Sequence, residues 1–598
     1  MNRTTQRSAT SRTPYFFVSL FGFAFACQSG GQSAGGNRSG GSTSGTTGSG
    51  GVKTTGGAVS STGGASANGG TIVSSSVSSG GTASNGGASG GTSGYGGTVV
   101  GGTTTRSGGA VSSGGVATTG GAATGGIGAQ GGAGGSTTGL DGGTSPSPDG
   151  GTSKDWQQLQ SNFIDWRFGM FLHFGILTYT GSWAQGNLPI DQFNPTKLDC
   201  NQWADAAVSA KMKFGVLTTH HHDGFALWPS KASTFNVGNI SWRSGKGDVV
   251  KEYTDAFRAK GLGPGLYYSV WDATQNNAPS DSLSAAQMQY IETQLTELLS
   301  NYGKIPLLVL DGYAWKMGHR KAPFAELHDL IKSLQPDILI VDHDCVQGPW
   351  DADLAMYEEP KGVFAPTGNT VAAGQDNKIN NSGGNDWFWA PDIGGLMTVS
   401  DIVDGHLKKL EPSYTNFMLN CPPNRDGLLD TTIVSLLGQV GNAWTPNANR
   451  ASLPAQVPLN EHPYMPANAT ATSGTAFNAI DGVNDSNNYS VWTTSSSYPQ
   501  SLTLDLGLTK PDVGYFGYLP GYAGTGPTNV GNITSYKILV SLDDTTYTAA
   551  TSGTWANNGL YKAAVFGPVT ARYVRLEVDA ASGTTGAQAT EVVVGARR

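Results

Sequence analysis

Three consecutive histidines, His220, His221 and His222, followed by Asp223 and Gly224, are the densest cluster of potential chemistry in this chain. They are three of only nine histidines and they follow an apolar run, Phe214 to Leu217, so they stand where a strand would open into a loop. Adjacent imidazoles fit poorly inside a sheet, but at a strand mouth they can both donate to and accept from ligand hydroxyls. A satisfied Asp-Gly turn or an adventitious metal cluster is the competing reading. The second cluster is carboxylic. Asp311 ends the most apolar run of the chain, Leu307 to Leu310, with Gly312 behind it, so here too a plain turn is the alternative. Glu358 and Glu359 follow the strand-like run Asp353 to Tyr357 and precede Pro360. Two adjacent glutamates repel, which raises one of them toward the range of a general acid. Strands alternate sides, so one of the pair is expected in a pocket, and which one stays open. A solvated loop pair is the other reading, with Asp342, Asp344 and Asp376 next in line as the acid.

The elements around these residues share one grammar. Short apolar runs end in polar or aromatic residues at His173, Thr219, Ser269 and Asp311, and weaker runs follow at Ile338–Val341, Leu354–Tyr357, Trp387–Trp389 and Asn416–Leu419. Between them lie helical patterns such as Met288, Ile291, Leu295, Leu298, Leu299 and Tyr302, one apolar stripe that Gly303 should stop. Alternating strand and helix from about residue 165 to 445 predicts an α/β fold, a parallel sheet closed into a (β/α)8 TIM-like barrel. In such barrels chemistry gathers at the C-terminal strand ends, where the unusual residues of this chain lie.

Composition separates the rest. The chain has 598 residues and 88 glycines, concentrated between residues 28 and 152 with Ser, Thr, Ala and Asn. That tract carries Arg38, Lys53, Arg106, Asp141 and Asp149 as its charges and Tyr95 as its aromatic residue, so it cannot bury a core. It reads as a disordered tether over 27–152, to which no chemistry is assigned. Ahead of it, Arg3, Arg7 and Arg12 precede an apolar core from Tyr15 to Ala26, which reads as an export signal over 1–26. Ala24-Phe25-Ala26 suits cleavage, and Cys27 behind it resembles the lipidated residue of a bacterial lipoprotein. The expectation is a lipoprotein anchored to a membrane through Cys27 at the cell envelope, with plain secretion or a periplasmic location as the alternative. The remaining 445 or so residues suit two domains, over 153–450 and 451–598. The formal net charge of −8 carries no basic stripe, so nucleic acid is not an expected partner.

Four segments together carry a family resemblance: Trp166 to Gly175, His221 to Phe225 with Leu227 to Lys231, Gly265 to Ser269, and Asn416 to Gly427. In that order they resemble glycoside hydrolase family 29, the α-L-fucosidases, over roughly residues 155 to 445. The resemblance implies a retaining exo-fucosidase acting on fucosylated glycans, with an aspartate nucleophile and no cofactor for catalysis. Retention needs two carboxyl groups about 5–5.5 Å apart. The family's nucleophile falls on Asp311. Fucose offers three hydroxyls and a 6-methyl, so imidazoles and an aromatic wall suit it. The resemblance places His173, His221, His222 and Tyr268 on the hydroxyls, with Trp183 nearby; Trp315 keeps aromatic company with Asp311, and Trp387, Phe388 and Trp389 offer aromatic surface at a later strand, with a core role for at least one of them as the alternative. His220 stands where relatives often carry lysine. Two departures leave other readings open. Tyr179-Thr180-Gly181-Ser182-Trp183 lacks the glutamate many relatives carry before tryptophan, and Asn369-Thr370-Val371 lacks the one that some carry after Asn-Thr. A retaining glycosidase for another sugar and a catalytically silent glycan-binding surface protein are therefore the alternatives.

Beyond about residue 459 the pattern changes to period-two alternation, as in Ser501 to Gly507, Tyr536 to Ser541 and Arg572 to Val578. This predicts an all-β sandwich. It resembles the discoidin-like (factor 5/8 type C, family 32 carbohydrate-binding) module. That resemblance implies glycan binding and a structural calcium near Asp481-Gly482, with Asp481 as a ligand.

Overall fold

The computed structural model describes residues 155–181, 185–275, 282–312, 322–343, 352–366, 368–380, 387–392, 394–457, 463–482, 490–521 and 529–597. Eight strands form one parallel sheet: β1 Phe168–Leu172, β2 Phe214–His220, β3 Gly263–Ser269, β4 Leu307–Asp311, β5 Leu339–Asp342, β6 Ala355–Glu358, β7 Ala373–Lys378 and β8 Thr415–Asn420. Their spatial order is β5-β4-β3-β2-β1-β8-β7-β6. Among the described residues, the two ends of the ring meet through one parallel bridge, Val341 to Leu354. Asp353 fastens that seam: its N–H donates to the Ile340 carbonyl, and its carboxylate accepts from the Ile340 N–H at 2.8 Å and the Lys332 ammonium at 2.6 Å.

Each strand is buried on both faces, and parity decides which side a residue serves. Phe171, Phe214, Val216, Tyr267, Leu307, Val309, Leu339, Val341, Met356 and Met418 share one cluster inside the barrel. Their neighbours in sequence, among them Leu172, Leu217, Leu266, Tyr268, Leu308, Leu310 and Ile340, belong to the layer packed against the helices. The bottom is sealed by aromatic rings: Phe214 lies 5.5 Å from Phe163 and 5.3 Å from Trp166. Gly169 permits this, because a β-carbon there would stand 2.3 Å from the Phe214 ring. With the floor closed, the interior is left to open at the C-terminal strand ends.

The helices obey their local signals. Ser284 caps the helix Ala285–Asn301 in a reciprocal box with Gln287, and Gly303 beyond it takes a positive φ of 69°. One expected strand is displaced. Trp387–Trp389 is not a strand; β7 is Ala373–Lys378, whose sequence Ala-Gly-Gln-Asp-Asn-Lys lacks the apolar signature. Small residues belong there because the Met356 sulfur would lie 2.8 Å from a β-carbon on Gly374.

The C-terminal part is antiparallel: β9 Pro463–Tyr464, β10 Asn468–Ala471, β11 Trp492–Thr493, β12 Gln500–Pro520, β13 Ile533–Ser541, β14 Thr548–Thr554, β15 Lys562–Ala581 and β16 Gln588–Ala596. Its main order is β11-β16-β12-β15-β13-β14. The long β12 and β15 slip register between Asp505 and Tyr515, and this bend lets them serve both layers. Trp492, Leu502, Leu504, Phe516, Ile538, Val574 and Leu576 fill the core.

Candidate active site

Parity carries polar residues into the barrel mouth. Two positions beyond an interior residue come His173 after Phe171, Asp311 after Val309, Ser269 after Tyr267, Glu358 after Met356 and Asn420 after Met418. All five are buried. Asp311 is the centre of this group. The Tyr267 hydroxyl donates to its Oδ2 at 2.5 Å, and His222 Nε2 and His343 Nδ1 each stand 3.6 Å from that oxygen. The Gly312 N–H donates to Oδ1 at 2.5 Å. Burial alone would push the Asp311 carboxyl up. The imidazoles of His222 and His343, the Tyr267 hydroxyl and the charge of Lys361 outweigh it and hold the group well below the usual carboxylate range.

The three adjacent histidines divide. Between Thr218 and His220 the register of β2 against β3 slips, and His220 turns to the helix layer. There it stacks on Tyr268 at 4.6 Å and meets Asp272 at 3.2 Å, so it belongs to packing and not to the mouth. His221 and His222 stay on the pocket side. His222 Nδ1 bonds Ser269 Oγ at 2.6 Å. His221 stacks on Tyr267 at 5.7 Å, and its buried Nδ1 has no hydrogen-bond partner among the described residues, with Asp223 at 3.6 Å.

His173 is held by Asn420, whose Oδ1 accepts from the His173 Nδ1 at 2.9 Å and whose amide nitrogen donates to the Trp387 carbonyl at 2.7 Å. The second contact orients the amide, so His173 carries its proton on Nδ1 and keeps Nε2 as an acceptor. Burial, reinforced by His221, lowers the His173 pKa and favours that neutral form. Trp387 stacks on His173 at 4.9 Å, and the Phe388 edge meets His173 at 5.4 Å and His221 at 5.0 Å. The result is a hydroxyl-competent imidazole rim beside an apolar aromatic wall.

Glu358 and Glu359 part company. Glu358 has interior parity and is buried, with Lys361 Nζ at 2.9 Å from its Oε2. Glu359 points to the outer layer, where His406 at 2.8 Å and Gln375 at 2.7 Å bind its Oε2. Each glutamate thus has a basic partner of its own, Lys361 for Glu358 and His406 for Glu359. Asp376, on the inner side of β7, accepts from His343 Nε2 at 2.7 Å.

Several expected positions differ. Tyr268 is not a pocket residue: its hydroxyl donates to Gln294 Oε1 at 2.8 Å in the helix layer, and the adjacent Tyr267 has the inner place. Trp389 is bound to the loop after β8, donating to Asp430 at 2.7 Å with the Arg425 guanidinium 5.8 Å from its ring. Asp342 follows Val341 and so has outer parity. Trp183, Trp315, Asp344 and Cys27 lie outside the described residues. Sequence reasoning missed Tyr267, His343, Lys361 and Asn420. For His343 the signal was present, a histidine just past a candidate strand, as at His173.

In the C-terminal part, Asp481 accepts a hydrogen bond from the Ser490 hydroxyl, and the Gly482 N–H donates to Glu591 at 3.1 Å. Among the described residues no group of three His, Cys, Asp or Glu side chains that could hold a metal forms, and residues 483–489, which follow Asp481 and Gly482, lie outside the described residues.

Residues 149–449 match the family model "Alpha-L-fucosidase" and residues 465–592 match "F5/8 type C domain". Alpha-L-fucosidase 1 of Arabidopsis thaliana is 32% identical over 305 residues, which cover 47% of this chain and 58% of that protein. Tissue alpha-L-fucosidase of Bos taurus is 24% identical over 324 residues, covering 46% and 66%. A crystal structure of a glycoside hydrolase 29 family member from an unknown rumen bacterium aligns with a TM-score of 0.40 at 22% identity, covering 74% of this chain and 99% of that one. This chain thus spans little more than half the length of the Arabidopsis relative.

Proposed function

Given that the chain belongs to the alpha-L-fucosidase family and carries an F5/8 type C domain, we propose that it is an exported, retaining exo-α-L-fucosidase acting on fucosylated glycans. The observation that carries this reading is Asp311, a buried carboxylate kept ionised by Tyr267, His222 and His343 at the centre of an imidazole-lined mouth. A buried group held in its anionic form is suited to attack a carbon that becomes cationic.

In the first half-reaction Asp311 bonds to the anomeric carbon as the glycosidic C–O bond breaks, and Glu358 gives its proton to the departing oxygen. In the second, Glu358 as carboxylate takes a proton from water, whose oxygen attacks the anomeric carbon and releases Asp311. Lys361 Nζ lies 2.9 Å from Glu358 Oε2 in the free protein, so the acid role requires that the pair part and that Glu358 take up a proton from solvent before the glycosidic bond breaks. His173 Nε2 and His221 Nδ1 serve the sugar hydroxyls, and Trp387 and Phe388 take the methyl-bearing face.

Release of 4-nitrophenol from its α-L-fucoside, with the α-anomer as first product by NMR, tests the reading. Glycan binding without turnover supports the silent alternative. Export and a lipid anchor at Cys27 complete the proposal; failure of Cys27→Ser to abolish fatty-acid labelling in a bacterial host overturns the anchor.

A further inference from the structure

One imidazole joins two interior carboxylates. His343, just past β5, has Nε2 at 2.7 Å from Asp376 Oδ2 and Nδ1 at 3.6 Å from Asp311 Oδ2. All three side chains are buried, and Asp376 is fully inaccessible. A neutral imidazole has one N–H and one lone pair, so between two carboxylates it turns a lone pair toward one of them. Imidazolium suits both sides. The longer distance to Asp311 is too great for a hydrogen bond and acts through charge.

Resting on the reading of Asp311 as nucleophile, we propose that Asp376 and His343 form a positioning pair: Asp376 fixes the ring and keeps it protonated, and the ring's charge holds Asp311 ionised and oriented. When Asp311 becomes a glycosyl ester it loses its charge, and Asp376 alone then retains the proton on the ring. His343 therefore remains cationic when the ester breaks and the Asp311 carboxylate re-forms. Among the described residues, the other titratable groups facing this pair are Tyr267 from β3, His222 beyond β2, His173 beyond β1, and Lys361 with Glu358 at the end of β6.

The pair separates from a purely structural role by pH. Removing the cation in His343→Gln raises the Asp311 pKa, so the acidic limb of kcat/KM on 4-nitrophenyl α-L-fucoside should move up by about one unit. In Asp376→Asn the ring deprotonates more easily; activity should be low at neutral pH and recover as pH falls through the new midpoint, and Asp376→Glu should restore the neutral-pH rate. Nitrogen NMR of histidine-labelled full chain should show a protonated His343 ring at pH 7 in the wild type and a neutral one in Asp376→Asn. This last arm needs no turnover, so an inactive wild type would overturn the fucosidase reading while NMR still decides the pair. A neutral wild-type ring, an unmoved acidic limb in His343→Gln, or azide-rescued, leaving-group-dependent loss in Asp376→Asn overturns it. If His343→Gln does not fold, the milder Asp376 variants carry the test.

Discussion

Glu358 and Glu359 are neighbours in sequence and strangers in space: the first enters the barrel and meets Lys361, and the second leaves it and meets His406. The two should therefore fail differently. Glu358→Ala should lose about a hundredfold to ten-thousandfold on a fucoside with a poor leaving group and far less on the 4-nitrophenyl substrate, with azide restoring the latter. Equal losses on both substrates would remove Glu358 as the acid.

Glu359→Ala should act on stability instead. Burial lowers the His406 pKa, but Glu359 overcomes this and raises it above 6.5. A raised histidine contributes stability that is fully present below its unfolded pKa and lost as pH rises through the folded one. Wild-type stability should thus exceed that of Glu359→Ala most below about pH 6.5 and converge with it at higher pH. Urea melts at several pH values measure the gap, and a gap that widens with pH contradicts the pairing.

Asp311→Asn should fold and lose at least about a thousandfold in kcat, because an amide cannot form the glycosyl ester. Azide should rescue Asp311→Gly, which leaves room for a small nucleophile, and not Asp311→Asn. Wild-type-like rates in Asp311→Asn would end the assignment.

Tyrosines 267 and 268 offer a sharper contrast. Tyr267→Phe removes a hydrogen bond to a buried charge, worth about 1.5–3 kcal/mol, and should lower kcat/KM roughly tenfold to a hundredfold. Tyr268→Phe leaves Gln294 short of a partner and should cost about 1–3 kcal/mol of stability with kcat/KM kept. The reverse pattern in kinetics and thermal melts would mean that the strand faces are exchanged.

Truncation places the boundary of the catalytic part. Gln456 accepts from the Ala372 N–H and donates to the Thr370 carbonyl, each at 3.0 Å, at the entrance to β7. A chain ending at 455 should be less stable than one ending after Val457, by about 1–3 kcal/mol, and the longer one should keep full rates on a small aryl fucoside. Loss of those rates in the longer chain would make the C-terminal domain part of the catalytic unit.

The sequence was most readable where one period dominated. Leu307 to Leu310 and Phe214 to Leu217 announced central strands, and the residues at their ends announced the mouth. Parity was harder, because a strand buried on both faces carries no polar side to set it. Tyr267 and Tyr268 look alike in such a strand, and only the slip of β2 and the company of Gln294 tell them apart. β7 was hidden for another reason: its interior accepts small and polar residues, since Met356 fills the space and Asp376 has His343 to satisfy it. Lys361 has a local partner in Glu358, three residues back, but its effect on Asp311 crosses the ring and lay beyond local reading.

The lone bridge from Val341 to Leu354 has a kinetic corollary. Elsewhere adjacent strands are zipped by ladders of several residues, whereas among the described residues this seam rests on the bridge and the bonds of Asp353. Backbone amides along it should exchange with solvent earlier than those between β1 and β2. His343 and Glu358 sit on opposite banks of that seam. Widening it by a fraction of an ångström would shift the orienting cation and the proton donor relative to each other. With Asp353 as its fastening, the spacing of the orienting imidazole and the proton donor rests on this one seam.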